Sequence, residues 1–401
     1  MIQLIDKIVF YIAVYATLFI SIFWFVTYFL FKDKKISHTK NHPSLSIIIP
    51  AYNEEKNIHT CISSLLEQDY PNLKLIIVDD GSTDKTGKVI KNLMKQNKNI
   101  IYIRNSHGGK GSALNTGLKH VHTELFGFID ADTSLSAGAL ESMVNQITKN
   151  TAAVITNISP KNTKSIVERI QKIEYVISSF TRKLMSHIQS LYYTPGFAIY
   201  KTDVVKSLGG FDEHNITEDL EMGLRLKNAG YNIESAIEHN AYTFVPGNFR
   251  KLFRQRIRWY RGYIQNTRKY SHIFFNRKFG DLGLLVLPGQ YIVLALIMIT
   301  LGLSIYNFSV DVYKTIANVL VVNDIGYLLQ TAKFNIITAT TFFLAVIIVS
   351  FFLMLKLSQK NIKESISHID YVIYIAVYPF INLLLWVAAL IYEIAGAEKK
   401  W

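Results

Sequence analysis

Cysteine is all but missing from this 401-residue chain: Cys61 stands alone, so no intrachain disulfide can form. Acidic residues are outnumbered, with 30 Asp and Glu against 43 Lys and Arg, a net charge of +13. That balance suits nucleic acid, anionic lipid headgroups or phosphorylated substrates, and the placement of the charges has to choose among them. No internal repeat or low-complexity tract is present, which excludes repeat architectures.

Charge itself is absent from four long stretches: Ile8–Phe31, Leu282–Val310, Phe334–Leu355 and Tyr371–Tyr392. Each is long enough to cross a hydrocarbon core of about 30 Å as a helix. Four together speak against buried helices of a soluble protein, and we read four transmembrane helices in a multi-pass plasma-membrane protein. The first is too long for a signal-peptide core, and Lys32, Asp33, Lys34 and Lys35 follow it as a stop-transfer pattern. The positive-inside rule then places residues 32–281 and the loop Lys356–Asp370 in the cytoplasm. Lys399 and Lys400 fall on the opposite side, against the rule. The expected organisation is a first span (1–31), a polar linker (32–44), an α/β domain (45–245), an amphipathic segment (246–281) and three further spans with a tail (282–401).

The middle region has a different texture. "LSIIIP" (Leu45–Pro50), "LKLIIV" (Leu73–Val78), "IIYIR" (Ile100–Arg104) and "LFGFI" (Leu125–Ile129) read as buried strands. Helical stretches near 54–67, 84–97, 110–120 and 136–149 separate them. This alternation predicts a doubly wound parallel sheet with helices on both faces, whose ligands bind beyond the carboxyl ends of the strands. Those ends carry "PAYNEE" (Pro50–Glu55), "DDGSTD" (Asp79–Asp84) and "DAD" (Asp130–Asp132). Asn53 is placed to cap the following helix. Paired carboxylates resist joint ionisation unless a cation compensates, and Mg²⁺ or Mn²⁺ is the natural one, often shared with a substrate phosphate. Alone, Asp-Gly-Ser is as readily a plain turn, and Asp-Ala-Asp a solvated one. "HGGKGSALNTG" (His107–Gly117) fits a flexible loop or a phosphate cradle using Lys110, and its spacing is not that of a Walker motif. It is the convergence at successive strand ends that favours a site.

"NITEDLEMGLRLKNAGY" (Asn215–Tyr231) opens a helix with Thr217 as its expected cap. Glu218, Asp219 and Glu221 serve there as dipole compensation, or one of them serves as a general base. In "IEHNAYTFVPGNFRKLFRQRIRWYRGYIQN" (Ile237–Asn266), a helix from Phe249 gathers Phe249, Leu252, Phe253, Ile257, Tyr260 and Ile264 on one face. Gln255, Arg258, Trp259 and Gly262 lie roughly opposite. An apolar face flanked by cations describes a helix in the membrane interface, with the other face turned to the soluble domain. The arginines spread around the helix instead of forming one exposed stripe, so nucleic acid is not the expected partner.

Taken in order, "PAYNEE", "DDGS", "DAD", "TED" and "QRIRW" resemble the motifs of processive, membrane-embedded family 2 glycosyltransferases. The arrangement of spans is most similar to that of bacterial poly-N-acetylglucosamine synthases, within a group that includes hyaluronan, chitin and cellulose synthases. The resemblance covers roughly residues 45–270 by motif. "YYTPGFAIY" (Tyr192–Tyr200) departs from the Ser-Gly usual in that loop, with Thr194 and Pro195 intervening. The resemblance implies a cytosolic nucleotide-sugar-binding domain of the GT-A type, inserted between transmembrane helices and accompanied by interfacial helices. It implies that Asp79 and Asp80 bind the uracil and ribose of a UDP-sugar, with Tyr52 and Glu54 near the base and Lys110 touching the nucleotide. Asp130 and Asp132 would hold the diphosphate through Mg²⁺ or Mn²⁺. Asp219 would be the general base, with Glu218 beside it in the catalytic pair. Gln255 and Arg258 would meet the diphosphate, and Trp259 would stack on the acceptor sugar. The implied activity is polymerisation of a UDP-sugar, UDP-N-acetylglucosamine foremost, into a β-linked polysaccharide extruded across the bilayer. Gln290, Tyr291, Asn335 and Asn382 are candidate channel groups or, equally, helix–helix contacts. Four spans are few for a wide channel, which points to an accessory membrane subunit. Transfer of one sugar to a polyprenyl phosphate or lipid is the alternative, and a non-catalytic scaffold or transporter a third reading that the intact acidic motifs oppose.

Overall fold

Isoleucine and valine dominate two of the apolar runs, and their branched side chains pack well on a pleated surface covered on both sides. In the computed structural model, which describes residues 2–30, 42–322 and 339–397, these runs are β1 (Leu45–Ala51) and β2 (Leu73–Asp79). Leu45, Ile47, Ile49, Leu75 and Ile77 are buried there, packed against Ile58, Cys61, Ile62 and Leu65 of α2 (Ile58–Leu66). The chain before the sheet forms α1 (Ile2–Leu30). Beyond β2 come α3 (Thr86–Gln96), β3 (Ile100–Arg104), α4 (Lys110–Lys119) and β4 (Leu125–Phe128). These match the expected strands and helices within a few residues.

The second half of the sheet is not parallel throughout. β5 (Ser134–Leu135), α5 (Ala139–Val144), β6 (Thr151–Pro160), α6 (Ile166–His187), β7 (Ala198–Lys201), α7 (Thr202–Ser207), α8 (Glu218–Asn228) and β8 (Asn232–Thr243) follow. The strands lie in the order β3-β2-β1-β4-β7-β6-β8-β5. β7 runs antiparallel to both β4 and β6, and β5 antiparallel to β8. The sheet is therefore mixed, which corrects the expectation of a parallel one. The three-strand block β2-β1-β4 is parallel, and this brings the segments after β1, β2 and β4 to one edge.

Past the sheet come α9 (Phe249–Lys269), α10 (Leu287–Val322), α11 (Ala339–Ile362) and α12 (His368–Ile394). Among the described residues, three helical segments are long and apolar enough to cross a membrane: Lys7–Leu30, Leu282–Val321 and His368–Ile394. The remaining expected span, 334–355, lies partly outside the described residues, as do the linker, Asn335, Lys399 and Lys400. The chain forms two compact units, Met1–Phe31 with Leu285–Leu357, and Lys32–Leu284 with Ser358–Trp401. In the first, α1 packs on α10. In the second, α12 packs on α6 and α9, so this apolar helix belongs with the α/β sheet and not with the preceding spans.

Candidate active site

Asp79 and Asp80 end β2 almost without exposure, at 1% and 4%. Asp79 accepts hydrogen bonds from the Ser82 amide (2.8 Å) and the Tyr102 hydroxyl (2.7 Å). Asp80 accepts from the amides of Gly108 (2.9 Å) and Gly109 (2.8 Å), and His107 Nδ1 lies 3.0 Å from its Oδ2. The Asp80 carboxylate therefore holds the 107–109 turn from which α4 starts, while that of Asp79 ties Ser82 and Tyr102. Tyr52 is exposed, and its ring stacks on His107 at 4.3 Å. Glu54 accepts from Asn57 Nδ2 (2.8 Å), and burial raises its pKa, with help from Asp130. Asn53 does not cap a helix: it sits at φ 56°, its carboxamide oxygen accepts the Thr83 amide (2.9 Å), and α2 begins only at Ile58.

The first residue of α4 connects this edge to an acidic cavity. Lys110 Nζ lies 2.7 Å from Asp130 and 2.9 Å from Glu218. Burial alone would depress the lysine, but Asp130 and then Glu218 reverse this and hold its pKa above the ordinary value. Asp132, after β4, is pushed up to about 6 by burial first, then by the carboxylates of Asp130 and Glu54. Among the described residues it receives only long contacts, from Thr133 Oγ1 (3.1 Å) and Thr243 Oγ1 (3.5 Å). Asp219, in the first turn of α8, opens onto the cavity yet lies deep in the protein. Burial and then Glu218 raise its pKa to about 6, while Lys110 and Arg258 oppose the rise.

Two glycines let the walls close. A Cβ on Gly223 would come 2.3 Å from the Tyr192 carbonyl oxygen, so α8 lies directly against the 192–196 loop. A Cβ on Gly262 would come 2.2 Å from Thr217 Oγ1, so α9 presses on the start of α8. Thr217 occupies the cap position, but its side chain caps nothing and accepts from Asn266 Nδ2 (2.9 Å) of α9. Thr194 donates to the backbone carbonyl of Asp219 (2.9 Å), tying the loop to the acid.

Helix α9 brings a group that motif reading passed over. Arg256 is fully buried; it donates to Glu174 of α6 (2.6 Å) and to Gln255 (2.6 Å), and its guanidinium lies 4.1 Å from the Trp259 ring centre. The face of α9 read as membrane interface is partly covered. Leu252 and Ile257 are buried, and Tyr260 stacks on Trp386 of α12 at 4.3 Å and donates to Asn382. Only an arginine standing between two motif positions, and a polar residue in an apolar span, hinted at these contacts in the sequence.

One cavity of about 480 Å³ is lined by Lys110, Asp130, Asp132, Glu218, Asp219, Gln255, Arg258 and Trp259. The structure thus brings together eight of the expected site residues from four separate parts of the chain. Tyr52, Glu54, Asp79 and Asp80 do not line this cavity; Asp80 joins it indirectly through Gly109 and Lys110. Among the described residues no three His, Cys, Asp or Glu side chains form a metal cluster. Asp130 and Asp132 nonetheless fit a hard divalent cation. They are carboxylates whose mutual repulsion raises Asp132, and such ions are held by one or two carboxylates with substrate phosphates completing the shell.

Residues 46–209 match the family model described as glycosyl transferase family 2. This segment is a family 2 glycosyltransferase domain. The chain carrying it is 30% identical over 268 residues to the poly-beta-1,6-N-acetyl-D-glucosamine synthase of Staphylococcus epidermidis, covering 63% of this chain and 65% of that protein. It is 29% identical over 259 residues to the synthase of the same name from Staphylococcus aureus, covering 61% and 63%. The alignment thus spans just under two thirds of these relatives. Among solved structures, a mannosyltransferase from Pyrobaculum calidifontis, in complex with GDP-mannose and Mn²⁺, superposes with a TM-score of 0.62 at 20% identity, over 88% of this chain and 99% of that one. The fold of the glycosyltransferase domain is accordingly GT-A, with a mixed sheet and apolar helices near the start, in the middle and near the end of the chain.

Proposed function

We propose that the protein is a membrane-embedded, inverting glycosyltransferase that polymerises a UDP-sugar, UDP-N-acetylglucosamine foremost, into a β-linked polysaccharide. The observation that carries this reading is the meeting of Asp130, Asp132, Asp219, Gln255, Arg258 and Trp259 in one cavity beside an apolar helix. The staphylococcal relatives and the retained Gln-x-x-Arg-Trp pattern support polymerisation over single transfer.

In this reading Asp219 takes the proton of the acceptor hydroxyl as that oxygen attacks the anomeric carbon. The bond from that carbon to the diphosphate breaks, UDP leaves with the electron pair, and an α-linked donor gives a β linkage. A carboxylate with a pKa near 6 is ionised at neutral pH and close enough to it to be an effective base. Arg258 and Gln255 meet the diphosphate, where a guanidinium offers paired donors. Lys110, now shared between Asp130 and Glu218, is placed to turn to phosphate. Asp130 and Asp132 would hold Mg²⁺ or Mn²⁺, which when bound offsets charge on the departing UDP. Tyr52 and Glu54 stand at the nucleoside side, with Asp79 and Asp80 shaping its floor. Trp259, steadied by Arg256, offers its face to the acceptor sugar.

The proposal includes a cytoplasmic catalytic domain, several membrane spans and an accessory membrane subunit. The test is to supply purified protein in lipid nanodiscs with labelled UDP-sugars and Mn²⁺ and to measure UDP release and product mass. A ladder or high polymer from UDP-N-acetylglucosamine, absent with Asp219→Asn, supports the reading. A single-sugar product refutes processivity, and no turnover of any nucleotide sugar refutes the activity.

A further inference from the structure

The cavity contains a cation that the chemistry above leaves unused. Arg182 of α6 lines it at 4% exposure. Its guanidinium donates to Ser178 Oγ (2.9 Å), Ser179 Oγ (2.6 Å) and the Tyr193 phenol. Among the described residues no carboxylate pairs with it, in contrast to Arg256 of α9, which has Glu174. Burial accordingly draws its pKa down, and only the phenols of Tyr193 and Tyr175 counter this. A charge withdrawn from water without an opposite charge is costly, and a guanidinium presents five N–H donors, more than these neighbours take up. Such a group is understandable where a ligand supplies oxygen acceptors.

The surroundings indicate which ligand. Glu174, Tyr175, Ser178 and Arg182 follow one another at helical spacing on α6, and all four line the cavity. Tyr193 belongs to the loop tied by Thr194 to the backbone of Asp219. Aromatic rings and hydroxyls beside a guanidinium suit an uncharged sugar, and Glu174 on the same stripe has its charge taken up by Arg256.

We propose that Arg182 is an acceptor-specificity residue, donating hydrogen bonds to ring, hydroxyl or acetamido oxygens of the neutral sugar that receives the next unit. This deepens the glycosyltransferase reading and rests on it. The experiment uses full-length protein in nanodiscs, with a pentamer of β-1,6-linked N-acetylglucosamine as acceptor probe. Pentamer binding is measured by calorimetry without donor, and the acceptor and donor KM by UDP release. Arg182→Gln is expected to weaken pentamer binding and raise the acceptor KM roughly ten- to a hundredfold, the loss of charge-assisted hydrogen bonds, with donor KM within twofold. Arg182→Lys, keeping charge and a donor, should recover part of the loss. Equal shifts in both KM values, or no shift, overturn the proposal in favour of a structural role. Undecaprenyl phosphate taken as acceptor in place of the pentamer, with that activity lost in Arg182→Gln, overturns it in favour of an anionic acceptor. Failure of the wild type to release UDP sinks the enzymatic reading instead, and the calorimetric comparison still decides whether Arg182 binds sugar.

Discussion

Asp79 and Asp80 stand at one strand end, Asp132 and Asp219 around the cavity nearby, and the protein treats the two pairs differently. The first pair is nearly inaccessible and spends its oxygens on backbone amides and a phenol. The second pair has few or long donors and is crowded by like charge, so both members hold their protons up to about pH 6. Satisfied carboxylates build the loops that shape a site; frustrated ones are available for a metal or a proton. The same residue type in similar acidic motifs thus does structural work in one place and, in the proposed function, chemistry in the other.

Removing the proposed base should break this contrast most sharply. Asp219→Asn is expected to lower kcat about 10²–10⁴-fold, measured as UDP release, with an unchanged circular dichroism spectrum. Asp80→Ala should act through the fold: it strands the amides of Gly108 and Gly109, costs about 3 kcal/mol in chemical denaturation, and raises the donor KM as Lys110 loses its anchor. Asp132→Asn should do the reverse for stability. Its folded pKa of about 6 exceeds the usual carboxylate value, so the stability present at low pH is lost as pH rises through 6. Neutralising it should therefore stabilise the protein by on the order of 1–2 kcal/mol at pH 8 in EDTA, allowing for solvent screening, and by nothing at pH 4. The pH profile offers the finest test. Because protonated Asp219 cannot act as a base, kcat should fall as pH drops through about 6, approaching tenfold per unit, and a flat profile would transfer the base role elsewhere.

The strands β1 to β4 were legible because their runs are short and apolar, β-branched in β1 to β3, and because turn residues bound them. β6 and β8 were not, since "TAAVITNISP" and "NIESAIEHNAYT" mix polar and charged residues with apolar ones and lack a simple period. The antiparallel turn of the sheet depends on β7, only Ala198–Lys201, too short to announce itself. The acids and the Gln-x-x-Arg-Trp positions could be read because their motifs occur in order. Arg256, Glu174, Arg182 and Trp386 could not, because their meaning comes from partners far along the chain. Asn53 was misread as a helix cap, and Thr217 holds the expected cap position without a capping bond, for a related reason: each side chain finds a tertiary partner, at Thr83 and Asn266.

The placement of Trp386 on an apolar helix has a practical corollary. A truncated, water-soluble fragment ending near Lys269 would retain every acidic motif yet lack one side of its cavity, leaving the Tyr260 ring without its stacking partner. Arg261 and Gln265 would also lose Glu393, which they grip from α9. Apolar helix and cavity are, in this architecture, a single piece of equipment, and crystallographers or engineers who trim away the C-terminal helix would be studying half a vise.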